Sequence, residues 1–259
     1  MGKIKSFTFN KSNSLSNLIV SIPHSSHNLT EEMKENMKPD VILTNNDWYL
    51  KELYYFLNEL DISNICANYS RYVIDVNRNI EYMHNHEEYT KSLVYFYTTF
   101  NKKIYINKPS EDIIENRIEK IYKPYHEFLN REINNVLKGK NKVYLLDLHS
   151  FFEQTEADIV LGTQYKKTCS EEFFNLVYNA FIDEGFTVKV DEAGLRGGYI
   201  TSHYATIENV EAIQIEIRYT AYIDDRYFGE EFMPKINYGL FNETQERLKK
   251  AFKKIREQL

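Results

Sequence analysis

Long apolar runs are missing from this chain: no stretch approaches the ~20 consecutive apolar residues that a membrane-crossing helix needs. The N-terminal stretch MGKIKSFTFNKSNS also lacks the apolar centre of a secretion signal, so a cytoplasmic protein is expected. Cysteine is scarce too. Cys66 and Cys169 are the only two, too few for a disulfide framework and without Cys-x-x-Cys spacing, which fits a reducing compartment. Nine Gly and five Pro supply no linker, so one domain over residues 1–259 is expected. An excess of positive charge is absent: 32 Lys+Arg against 38 Asp+Glu leave −6, which argues against a nucleic-acid backbone as general partner. Aromatics, by contrast, are plentiful, with 21 Tyr.

What remains is an ordinary globular composition in which short apolar runs alternate with helical patterns, the signature of a layered α/β domain. Strands are expected at 17–23, 64–70, 143–148, 157–162, 186–190 and 212–217. Residues 47–60 carry apolar side chains at Leu50, Leu53, Tyr54, Leu57 and Leu60, a half-buried helical stripe that starts after the capping residues of TNND. A second helix is expected over 111–138 with a kink at Pro124 and a stop at Gly139. A third opens at the capping-box pattern Thr168-Cys169-Ser170-Glu171, and a fourth runs from Asn242 to the end.

Several of these strands end in polar residues, and the carboxyl ends of strands are where open α/β sheets bind ligands. LIVSIPHSS runs into His24, CANYSRYVIDVNRN into Arg71, Asp75, Asn77 and Arg78, KVYLLDLHSF into Asp147 and His149, and AIQIEIR carries Glu216. Two histidines from separate strands plus one carboxylate form the ligand set of a catalytic zinc with an open position. His24 and His149 are the natural pair, with Asp147 orienting His149 from behind. Glu216 would take the proton of the attacking water. The alternative for each arginine is a structural ion pair. Of the seven His, His84 and His86 read as a solvated loop, His126 as a packed helix residue, and His27 as a rival ligand.

The ordered series PHSS, NDWYLKELY, SRYVIDVNRN, LLDLHSF, ADIVLGT, RGGYITSHY and AIQIEIRYTAYID, spanning roughly Ile19 to Asp224, resembles the N-formylglutamate amidohydrolase family. That resemblance implies a single three-layer α/β domain, a mixed central sheet flanked by helices of the zinc-exopeptidase kind. It implies one zinc per chain on His24 and His149, and Glu216 as general acid/base. It also implies Arg71 at the developing oxyanion, Asn77 and Arg78 on the substrate carboxylate, and Arg196 on a second carboxylate.

One departure stands out. Aspartoacylase-like relatives place a zinc-binding glutamate three residues after the first histidine, where this chain has His27. Asp47 is therefore the expected third ligand, with His27 and Glu31 as alternatives. The implied activity is zinc-dependent hydrolysis of an N-formyl or short N-acyl amide of an acidic amino acid. Rival readings are a peptidase or amidase of other range, a non-catalytic dicarboxylate-binding relative, and a phosphoesterase, which would want more carboxylates.

Overall fold

A computed structural model describes residues 4–14, 16–86, 88–152 and 155–259; residues 1–3 of the N-terminal stretch discussed above lie outside it. Seven strands form one mixed sheet in the order β1-β3-β2-β4-β7-β5-β6. They are β1 (Phe7–Asn10), β2 (Leu18–Ile22), β3 (Ser63–Ala67), β4 (Val143–Phe151), β5 (Ile159–Gly162), β6 (Val188–Val190) and β7 (Val210–Arg218). The centre, β3-β2-β4-β7, is parallel; β1 closes one side antiparallel to β3, and β5 is antiparallel to β7. All six expected strands are present with shifted ends. β1 was not anticipated: four half-buried or exposed residues at a sheet edge carry too little apolar pattern.

Helices cover both faces. On one, α2 (Leu50–Leu53), α3 (Phe56–Glu59), α6 (Glu171–Asp183) and α8 (Tyr238–Gln258) pack on Leu146, Leu148, Ile213, Ile215 and Ile217. On the other, α4 (Glu111–Arg117), α5 (Lys123–Leu137) and α7 (Tyr199–Tyr204) pack on Ile19, Leu145 and Ala212. A short helix, α1 (Glu31–Asn36), joins the second face through Met33.

Four helical expectations are corrected. The helix expected over 47–60 is two short pieces, because Tyr49 takes a left-handed backbone (φ 59°) and the chain breaks between Leu53 and Phe56. The TNND side chains do not cap it, and Asp47 turns inward instead. The helix expected at 111–138 is interrupted by a π-helical turn at Ile118–Tyr122 just before Pro124. Proline has no N–H to donate and its ring crowds the carbonyl four residues back, so a widened turn relieves the clash. Ser170 rather than Thr168 caps α6, accepting from Phe173 N, and Asn237 caps α8 a turn earlier than expected.

The sheet positions the site through one pattern. Along the second face, three of the four central strands, β2, β4 and β7, begin apolar and end polar: Ile19 gives way to Ser21, Leu145 to Asp147 and His149, and Ala212 to Gln214 and Glu216. Alternation puts these residues on one face. Register aligns Ser21 with Asp147, Asp147 with Gln214, and His149 with Glu216. The polar row is therefore continuous at the carboxyl end of the parallel core.

Candidate active site

His24 follows β2 after a single Pro, and His149 lies on β4; their Nδ1 atoms are 3.1 Å apart. Asp47, buried in the loop before α2, places Oδ1 3.5 Å from His24 Nδ1 and Oδ2 3.4 Å from His149 Nδ1. Asp47 reaches this position partly because its Oδ2 also accepts from Ser150 N at 3.0 Å.

Both rings are backed by carboxylates. His24 Nε2 is 2.8 Å from Asp75 Oδ1, and His149 Nε2 is 2.9 Å from Asp147 Oδ2. Each carboxylate holds a proton on Nε2, which leaves Nδ1 of both rings as the nitrogen facing the other ring and Asp47. Three electron-rich donors facing one point is the arrangement of a metal site. One donor atom from each of the three residues lies within 4.8 Å of the others, a spacing that a single ion would bridge. Among the described residues, His24, Asp47 and His149 are the group of three whose donors converge in this way, and they can hold a metal ion. His27 and Glu31 are elsewhere: His27 lines a separate cavity with Tyr49, Lys51 and Glu52, and Glu31 is exposed and paired with Lys34.

The electrostatics follow from burial and pairing. Burial alone would raise the Asp47 carboxyl, but His24 and His149 override it and hold it far below the ordinary carboxylate range. Asp75, wholly buried, is likewise held down by His24, Arg71 and Arg78 against the effect of burial. Burial disfavours a charged His149, yet Asp147 and Asp47 keep its basicity well above that of a free imidazole. Glu216 behaves differently. Burial pushes its carboxyl up to about 8, with Asp47 adding to the rise and His149 opposing it.

These groups open onto a cavity of about 700 Å³ whose lining includes Arg71, Asn77, Arg78, Arg196, Gln214 and Glu216. Arg71 is 8% exposed and engaged: its guanidinium bonds Asp75 Oδ2 at 2.9 Å, approaches Asp47 Oδ1 at 3.5 Å, and lies over the Tyr89 and Tyr95 rings. Tyr95 donates to the same Asp75 oxygen. Arg78 bonds the Asn77 carbonyl and sits 3.8 Å from Asp75, with its buried Nε unpartnered. Arg196 is on the rim, its guanidinium over Tyr165. Asn77 accepts from Ile200 N at 2.8 Å, and its Nδ2 lies 3.0 Å from His149 Nε2. That ring nitrogen already donates to Asp147, so the Asn77 amide hydrogens are not consumed by it.

The glycine segment before α7 comes close to the sheet. A Cβ on Gly162 would meet Gly197 N at 2.5 Å, and one on Gly198 would meet Asn77 Nδ2 at 2.4 Å; Gly197 itself has φ 108°. Only glycines allow this approach.

Asp75, Gln214 and the two tyrosines were given no role from sequence. Asp75 had one detectable signal, an acid inside the otherwise apolar run YVIDV. His86, read as solvated, instead stacks on Phe96 with ring centroids 4.0 Å apart. His126 is a packed helix residue, as expected, between Val76 O and Tyr204 Oη.

Comparison with known proteins identifies the family of the chain. Residues 16–223 match the family model of N-formylglutamate amidohydrolase. The chain is 26% identical over 220 residues to an N-formylglutamate deformylase of Pseudomonas putida, covering 80% of this chain and 82% of the relative. It is 28% identical over 222 residues to one from Pseudomonas aeruginosa, covering 81% and 83%. An N-formylglutamate amidohydrolase from Ralstonia eutropha JMP134 superposes with a TM-score of 0.84 at 22% identity, over 98% of both chains. A second structure, gene product Atu2144 from Agrobacterium tumefaciens, gives 0.70 at 15% identity over 98% and 96%. With four fifths of its length matched and its polar strand ends gathered at one carboxyl edge, the chain belongs to the N-formylglutamate amidohydrolase family.

Proposed function

We propose that the protein is a zinc-dependent amidohydrolase that removes a formyl group, or another short acyl group, from the nitrogen of an acidic amino acid such as glutamate. The observation that carries this reading is the convergence of His24, Asp47 and His149 beside Glu216, in a cavity that also presents arginines. Family membership supports it, since both curated relatives are named N-formylglutamate deformylase. Two histidines and one carboxylate suit zinc, which when bound polarises an amide carbonyl and makes hydroxide available near neutral pH. Cys66 and Cys169, both free thiols, support a reducing, cytoplasmic setting.

Glu216 takes the proton of the attacking water and returns it to the amine nitrogen as the C–N bond breaks, giving formate and the free amino acid. Burial raises this carboxyl, while a cation beside it favours its ionised form, so one group accepts and releases a proton near neutral pH. Arg71, fixed by Asp75 and two aromatic rings, meets the charge developing on the amide oxygen, a contribution of about 2.7–4 kcal/mol in comparable sites. Arg78 and the spare amide hydrogens of Asn77 hold the substrate carboxylate, and Arg196 at the rim takes a second one.

The size of the cavity favours one second reading, an amidase of longer acyl range. Amine release from N-formyl-, N-acetyl- and longer N-acylglutamates decides between them. The highest kcat/KM is expected for the formyl compound. A clear preference for a longer chain would replace that reading with the second.

A further inference from the structure

The side chain of Gln214 bridges two parts of the site. Its Nε2 donates to Glu216 Oε1 at 2.8 Å, and its Oε1 accepts from Gly198 N at 2.7 Å. Gln214 is 4% exposed and stands two residues before Glu216 on the same face of β7. A buried carboxamide in such a row is costly unless both ends are paired, and here both are.

The segment it holds is the glycine turn that carries Arg196 to the rim. Three carboxamides staple that turn: Gln164 to Gly197 O, Asn77 to Ile200 N, and Gln214 to Gly198 N. Gln214 alone among them also touches Glu216. A single planar amide thus sets the distance between the proton-transfer group and the wall bearing Arg196.

We propose that Gln214 is a positioning residue that aims the Glu216 carboxyl and registers the Gly197–Gly198 turn against it. The inference deepens the proposed reaction and rests on Glu216 acting in it. One amide that fixes both groups transmits any displacement of the turn directly to the base. Loss of the donor removes a hydrogen bond to a carboxylate, and loss of the acceptor frees a backbone N–H.

The test is Gln214→Met, which keeps volume and removes both bonds, measured alone and combined with Glu216→Gln. With N-formylglutamate, kcat should fall about 10–100-fold in the single variant, the scale of one lost hydrogen bond to a charged group, with KM within about threefold. In the Glu216→Gln background, the same change should lower the residual rate less than about twofold, because its effect runs through Glu216. Amide hydrogen exchange at Gly198 should speed up about tenfold or more in Gln214→Met, with metal content unchanged. Equal losses in both backgrounds, or a Gly198 amide that exchanges as in wild type, would overturn the proposal. If the wild-type protein releases no formate, the reaction reading fails on its own, and the Gly198 exchange rate still decides whether Gln214 anchors the turn.

Discussion

His24 and Asp75 meet at 2.8 Å in the buried floor of the site, and the other oxygen of the same carboxylate holds the Arg71 guanidinium at 2.9 Å. One buried acid therefore orients a metal-binding ring and a cavity arginine together. Asp75→Asn keeps the shape but weakens both contacts. Metal affinity, read by competition with a chelating dye, should fall about 10–100-fold, the usual effect of losing such a backing group. Unchanged affinity would show that His24 needs no orienting partner.

Glu216→Gln preserves volume and hydrogen bonding but cannot accept a proton. Turnover should fall about 10²–10⁴-fold while metal content and thermal stability stay near wild type. Activity within a few-fold of wild type would remove Glu216 from the mechanism, and a joint loss of stability and metal would point to an ion-pair role.

Arg78→Ala separates recognition from structure. The kcat/KM for a free-carboxylate substrate should drop about 10–100-fold, against a few-fold for the same substrate with that carboxylate amidated, because only the first loses a charge-assisted bond. Equal losses on both would mark Arg78 as structural, holding the Asn77 carbonyl and Asp75.

His126 supplies a pH dependence away from the chemistry. Burial lowers its pKa to about 4, against support from the Val76 carbonyl, so the folded state holds it neutral. A depressed histidine contributes stability that is present above its unfolded pKa of about 6.5 and is lost as pH falls toward 4. In urea titrations the advantage of wild type over His126→Gln should shrink by about 3 kcal/mol between pH 7 and pH 4. A constant gap would mean that His126 does not titrate in this window.

Much of the fold was legible because the parallel strands are nearly continuous apolar runs that end in charged or polar residues, as VYLLDLHS does. The breaks in the helices were not. Tyr49 adopts a left-handed backbone two residues after Asp47 turns into the floor of the site, a tertiary arrangement that local periodicity cannot register. The pairing of His24 and His149 was readable from residue type and strand-end position, whereas Asp47 followed only from the family resemblance, because His27 stands where relatives carry a glutamate. Asp75 and Gln214 were harder, since a backing carboxylate or a bridging amide declares itself only when the partner strands are aligned. His86 is equally hard to read, since its stacking partner, Phe96, lies ten residues further along the chain, beyond the reach of any local pattern.

Formate release from N-formylglutamate, followed on metal-stripped protein and again after zinc is restored, tests the central claim most directly. The account predicts no release from the stripped protein, recovery at about one zinc per chain, and no recovery when His24 and His149 are both replaced by Ala. Full activity in stripped protein, or in that double variant, would contradict it.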